Sequence, residues 1–239
     1  MEHAVGISRQ RVATALEWRP EWPLVLVVAL AWVVAAALYA GGGADHRDAS
    51  AGFALAGWAV MAVAMMGPMA LPAVRHVALN SLRPRRTRAM AIYFAVFTAV
   101  WVAFGVAALT GERLATHTVG IDSSALLAAA LALAAAWQLT RTKRRAIYAC
   151  TRTIALPPLS RRADAACARF GLKQGWRTVV SCWALMLVMA AVGHMHLAWM
   201  AALTAFVSFE ELTLVGRNAL WPAAAGLAFA AAVMAVGGA

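Results

Sequence analysis

Composition, the spacing of the apolar runs and the placement of the basic residues predict an all-α, polytopic transmembrane helix bundle of about seven spans with a cytoplasmic N-terminus. Hydrophobic residues make up 63% of the 239 and charged residues 13%, far from the balance of a soluble domain, so lipid is the expected solvent. The apolar runs approach the roughly 20 residues that a helix needs to cross a bilayer, and they follow one another through mostly short connections. With alternating spans and an inner N-terminus, the inner segments hold three, five, ten and one basic residues, which leaves Arg47 and Arg113 outside. Residues 1–239 are expected to form one integral membrane domain without internal repeats, in a bacterial inner membrane.

The first span runs from about Trp22 to Ala40, longer than the 7 to 15 apolar residues of a secretory signal, and ends at Gly41, Gly42 and Gly43. The second, Ala51 to Ala73, is loaded with thioethers. At about 100° per residue, Trp58, Met61, Met65 and Met69 share one face, with Met66 one step round. Those sulfurs can look into a bundle interior together as a soft-metal site, or fill gaps between helices, which methionine does readily.

A basic link containing Arg75, His76, Arg83, Arg85, Arg86 and Arg88 leads to a third span, about Ala89 to Leu109. The fourth, Ser123 to Leu139, is mostly Ala and Leu, small enough for helix backbones to approach closely. Residues 140–177 form a long basic loop broken by Pro157 and Pro158. Beyond the prolines, Ser160 is placed to cap a short interfacial helix with Leu159, Ala163, Cys167 and Phe170 on its apolar face. Three further spans follow: Thr178 to Gly193, Leu197 to Val215 and Ala219 to Val236.

The net charge of +11 does not indicate nucleic acid, because the charges line the cytoplasmic side, where anionic lipid is the expected partner, and no aromatic-basic recognition module accompanies them. Cys150, Cys167 and Cys182 all map to the reducing half of the molecule, so no structural disulfide is expected. Cys182 stands apart because Cys182, Met186 and Met189 lie at i, i+4 and i+7 on one helical face. It begins four residues into its span, ~6 Å from the inner end, a depth comparable with that of Met65 to Met69.

Glu210 and Glu211 are adjacent carboxylates in an apolar run, and an ionisable group there faces the interior or a watery cavity and pairs with something. A metal, an inner-loop arginine or a shared proton would each serve Glu210; snorkelling to the surface beside Arg217 is the alternative. Glu211, about 100° round the helix, is expected to point elsewhere. At the outer end of the fifth span, His194 and His196 with Met195 and Met200 form either a copper port or incidental interface polarity, since His suits the oxidised ion and Met the reduced one.

The run Trp58-Ala-Val-Met-Ala-Val-Ala-Met-Met-Gly-Pro-Met, the link Gln138-Leu-Thr-Arg-Thr-Lys, the stretch Cys182-Trp-Ala-Leu-Met, then Gly193, Met195, Trp199-Met-Ala-Ala-Leu-Thr and Glu210 carry a family resemblance. Over about residues 51–217 the chain resembles the predicted metal-binding integral membrane proteins. It departs from them at Ala146, Thr178 and Ser181, where that pattern has cysteines, and at Glu211, where it has lysine. The resemblance therefore implies an altered site that leans on methionine, Cys182 and Glu210.

The expected function is copper binding through Met61, Met65, Met66, Met69, Cys182, Met186, Glu210, His194 and His196. The alternatives are a noncatalytic scaffold subunit of a larger membrane complex, with the methionines as packing, and an ion-coupled transporter using Glu210 and Glu211. No catalytic motif is present, so an enzyme is not expected, and membrane redox chemistry at a copper centre is the one enzymatic option left.

Overall fold

A computed structural model describes residues 19–40, 50–157, 161–192 and 196–237, and every regular element among them is helical. In chain order these are α1 (Trp22–Ala40), α2 (Ala51–Leu79), a short 3-10 turn (Arg83–Arg85), α3 (Arg86–Arg113) with a π-helical tail (Leu114–Thr118), α4 (Ser123–Gln138), α5 (Arg141–Cys150), α6 (Arg161–Val192), α7 (Leu197–Leu212), α8 (Leu214–Asn218) and α9 (Leu220–Gly237). Four helical stretches, Trp22–Ala40, Ala51–Leu79, Arg83–Thr118 and Arg162–Val192, are long and apolar enough to cross a membrane. A fifth qualifies if Ser124–Gln138 and Arg141–Cys150, bent by 75° at their junction, make one broken span. Helix α7, with 16 residues, and the apolar stretch Leu220–Val236 of α9 fall short of that length, so four or five of the seven expected spans meet it among the described residues.

Helix α1 is apolar all round but buries Leu24, Val28, Ala31 and Ala35 along a single stripe against α2. Leu26, Leu30 and Val33 on its other sides are each more than 60% exposed. So continuous an apolar surface suits hydrocarbon rather than water. Trp221, Phe229 and Val236 extend the same kind of surface along α9.

Tryptophan indoles stitch the bundle together, and the first stitch follows from a proline. Pro68 has no N–H, so the carbonyl four residues earlier, Ala64, lacks its helical donor. The indole nitrogen of Trp32 on α1 donates to that oxygen at 3.0 Å, and Gly67 beside it leaves room for Val28. Replacing Trp32 by Phe should therefore lower stability by about 1–3 kcal/mol, the cost of a buried group left unpaired, with most of the ring's packing retained. A thermal midpoint in detergent equal to that of the parent would show that Ala64 finds another donor.

Trp58 on α2 repeats the device toward α3: its indole donates to the Trp101 carbonyl at 3.0 Å, over Gly105, where a Cβ would collide with the ring. Trp137 on α4 donates to the Val180 carbonyl on α6 at 3.1 Å. Helices α3 and α6 come closest through Gly171 and Gly175, four residues apart, whose missing side chains admit the Tyr93 carbonyl and Val100. Gly171→Ala should cost about 1–3 kcal/mol of stability, because a Cβ would lie 2.5 Å from backbone oxygen, which cannot swing away. Gly111→Ala on α3, with nothing within 4 Å, is the control and should be neutral or stabilising; equal effects at the two sites would refute the close approach.

The short interfacial helix expected after Pro157 and Pro158 is the first half of α6, which runs on unbroken for 32 residues from Arg161 to Val192. Asp164 near its start pairs with Arg85 of the 3-10 turn and Arg88 in the first turn of α3, and Ala163, Cys167 and Phe170 are buried, so the N-terminal part of this helix docks on the protein. The basic segment before it holds a second helix, α5, opened by Thr140, whose hydroxyl accepts from the Lys143 N–H at 3.1 Å.

Candidate metal centre

The C-terminal end of α7 places two adjacent carboxylates in the interior, with Glu210 1% and Glu211 6% exposed. The turn of about 100° between them does not send one to the surface; it directs them at different helices. Glu210 faces the α4–α5 junction, where its Oε2 accepts from Lys143 Nζ at 2.8 Å and its Oε1 from Gln138 Nε2 at 2.7 Å. The partner of Glu210 is thus a lysine, itself 1% exposed, and neither carboxylate oxygen lacks a donor. Glu211 faces α6, where its Oε1 accepts from the Cys182 thiol at 3.2 Å. The carboxylate beside Cys182 is therefore Glu211, not Glu210 as the helical geometry of an isolated span implied.

The loop after α7 secures this end. Thr213 is extended, and its hydroxyl donates to the Phe209 carbonyl at 2.6 Å and accepts from the Gly216 N–H at 2.9 Å. That turn brings Arg217 back, so that Nη2 donates to the Glu211 carbonyl at 2.9 Å, a cation at the helix C-terminus where the dipole favours one.

Around Glu211 lies a cavity of about 190 Å³ whose wall includes Met69 and Pro72 of α2, Cys150 of α5, Phe170 and Gln174 of α6, and Arg217. Met69 Sδ accepts from Ser208 Oγ at 3.7 Å. Cys150 Sγ lies 3.8 Å from Thr178 Oγ1, and Gln174 holds the Cys150 carbonyl with a 2.6 Å hydrogen bond. Glu211 thus links two sets of soft donors: the Cys182 thiol that hydrogen-bonds to it, and Cys150 and Met69, which share the cavity wall with it. All three cysteines are free.

Met61, Met65 and Met66 on α2 and Met186 and Met189 on α6 are at most 1% exposed and belong to the same apolar core as Cys182. The two sulfur-bearing stripes therefore face inward as their periodicity predicts. His196 is half-buried at the start of α7, its ring 6.0 Å from that of Tyr39, while His194 and Met195 lie outside the described residues. Among the described residues no three His, Cys, Asp or Glu side chains gather into a group able to hold a metal. A hard or borderline ion would want such a cage, whereas a monovalent soft ion is served by thiolate and thioether sulfur, which fits the donors present.

A family model described as copper chaperone, PpoB2, matches residues 55–234. The chain belongs to that family. Its function is therefore copper-related, and the match spans both sulfur-bearing helices and both glutamates. This is not the family whose motifs the chain resembles by name, although metal is common to the two descriptions. No curated protein and no solved structure matches the chain.

Glu211, Cys150, Lys143 and Gln138 were not singled out from sequence as part of the site. A signal was present for two of them: Gln138 and Lys143 open and close the Gln138-Leu-Thr-Arg-Thr-Lys link that carries the family resemblance. Glu211 was marked as one of two adjacent intramembrane carboxylates, but its place beside Cys182, like that of Cys150 on the same cavity, depends on which helices flank α7.

Proposed function

We propose that this chain is an integral membrane copper chaperone that takes Cu(I) as cargo on Cys182, Met69 and Cys150, with Glu211 as the companion carboxylate. One observation carries the reading: a buried thiol 3.2 Å from a buried carboxylate, next to a cavity walled by a thioether and a second thiol, in a chain of this family. Copper binds the thiolate, so loading releases the Cys182 proton, and Glu211 Oε1 is placed to receive it. Met61, Met65, Met66 and Met186 supply further thioethers along the two helices that frame the site, and His194 and His196 remain the proposed copper-binding groups of the opposite face. Glu210, with both oxygens held by Lys143 and Gln138, fixes α5 against α7 and so positions Cys150.

The donor set predicts a choice between ions. Detergent-purified protein given equal Cu(I) under reductant and Zn(II) should retain copper in excess, because thioethers discriminate strongly in favour of the soft ion. Retention of zinc alone would sink the reading.

The proposed topology has seven spans in a bacterial inner membrane, with the N-terminus and residues 140–177 in the cytoplasm, supported by the basic residues of the inner segments. Under that topology the Cys150, Cys182 and Glu211 cluster opens toward the cytoplasm. A cysteine introduced at Arg145, in a chain otherwise without cysteine, should resist an impermeant thiol reagent in intact cells, and its labelling would reverse the orientation.

A further inference from the structure

A second cleft, of about 430 Å³, lies on the other side of the α4–α5 bend, between α5 and the turn from α8 to α9. Its wall carries three guanidinium side chains, Arg141, Arg144 and Arg217, together with Asn218, Tyr148 and Trp221, and no carboxylate. No described carboxylate pairs with any of the three arginines. Arg217 reaches the Glu211 carbonyl through Nη2, but its Nε is buried without a partner. Glu210, bonded to Gln138 of the cleft wall, does not compensate the cleft because Lys143 and Gln138 hold both of its oxygens.

We propose that this cleft binds a phosphate-bearing anion, in a bilayer the headgroup of an anionic phospholipid. Convergent guanidiniums match phosphate through paired hydrogen bonds. The rim decides between the lipid and water-borne sources: Leu139, Tyr148 and Trp221 are 49%, 50% and 76% exposed around the arginines, the aromatic-and-apolar border found at headgroup depth. Basic pockets between helices on the cytoplasmic side are a recurring form of headgroup recognition. The inference does not rest on the copper reading: Arg217 lines both cavities, but Arg141 and Arg144 line this cleft alone and none of the sulfur donors does.

The test uses the full chain in bilayer discs of phosphatidylcholine containing a minor fraction of spin-labelled phosphatidylglycerol, with immobilised label as the readout. The parent should select the anionic lipid over a spin-labelled phosphatidylcholine, and Arg141→Gln and Arg144→Gln should each reduce that selectivity about fivefold. Both side chains are exposed on α5, and unchanged helical content and thermal midpoint verify that the variants fold. Arg169→Gln and Lys173→Gln, exposed basic positions on α6 away from the cleft, should leave selectivity unchanged. An equal loss in the α6 controls would overturn the cleft in favour of diffuse charge, and a parent that neither selects the anionic lipid nor retains phosphate would overturn it outright. Dialysis of lipid-free protein against labelled inorganic phosphate separates the sources. Retention that depends on Arg141 and Arg144, without lipid selectivity in the discs, assigns the site to a free anion; selectivity in the discs without phosphate retention assigns it to the headgroup.

Discussion

Lys143→Met should lower the stability of the detergent-solubilised protein by about 3–5 kcal/mol, the range found when one partner of a buried ion pair is removed. For a chain of this size that corresponds to a fall of roughly 10 °C in the thermal midpoint. The charge left behind, Glu210, is 1% exposed and would retain Gln138 as its sole hydrogen-bond donor of the two. Glu210→Gln should cost less, because an amide oxygen still accepts from Gln138, although its NH₂ then faces the ammonium. The combination Lys143→Met with Glu210→Gln should recover most of the loss, since replacing both members of a buried pair by neutral groups of similar volume is often close to neutral. The coupling between the two sites is the diagnostic quantity. Arg88→Gln, which removes a pair whose arginine is 71% exposed, sets the baseline and should change stability by less than about 1 kcal/mol. Additive effects at 143 and 210 would show that water reaches the pair and that it does not hold α5 against α7.

That pair also shows why part of the site was hidden in the sequence. Lys143 and Glu210 are 67 residues apart, and Lys143 sits in a helix where Arg141, Arg144 and Arg145 are exposed, so nothing local marks it as the one that turns inward. The sulfur stripes were legible because each is carried by one helix: the spacing of Met61, Met65 and Met69, or of Cys182, Met186 and Met189, defines a face without knowledge of any neighbour. Glu210 and Glu211 mark the limit of that reasoning. Periodicity correctly separates them by about 100°, so that they point at different groups, but it does not say that both directions are interior, because the end of α7 is enclosed by α4 and α5 on one side and α6 on another. Helix boundaries failed for a related reason. Arg161 to Arg177 reads as interfacial because it is basic, yet Asp164 engages Arg85 and Arg88 and the glycines at 171 and 175 seat it on α3, so the same helix continues inward. Pro68 was visible as a residue, but its consequence, a carbonyl at Ala64 served by Trp32, needs the neighbouring helix.

Cys182→Ser should weaken Cu(I) retention about a hundredfold or more, at or beyond the upper end of what loss of an outer-shell partner costs a metal site. Serine keeps nearly the volume and can still donate to Glu211, so the packing around residue 182 changes little while the soft donor disappears. Cys167→Ser is the matched control. Cys167 is equally buried, 1% exposed, but it lies on the half of α6 that docks on the basic link, its helical face carries no methionine stripe, and the carboxylate near it, Asp164, is paired with Arg85 and Arg88. Its loss should leave copper affinity unchanged. Glu211→Gln separates the two roles available to the carboxylate. If Glu211 takes the thiol proton, the variant should bind copper about 10–100-fold more weakly near neutral pH and approach the parent as pH rises, since the solvent then removes the proton that Glu211 no longer accepts. If Glu211 instead donates an oxygen to the ion, the deficit should persist at every pH. Glu210→Gln should affect copper much less than Glu211→Gln, because Glu210 is committed to Lys143 and Gln138. Competition for Cu(I) with a chromophoric chelator, run on the parent and the four variants across pH, reads all of these at once. Equal copper affinity in Cys182→Ser, Cys167→Ser and the parent would remove Cys182 from the site and move the copper chemistry to His194 and His196.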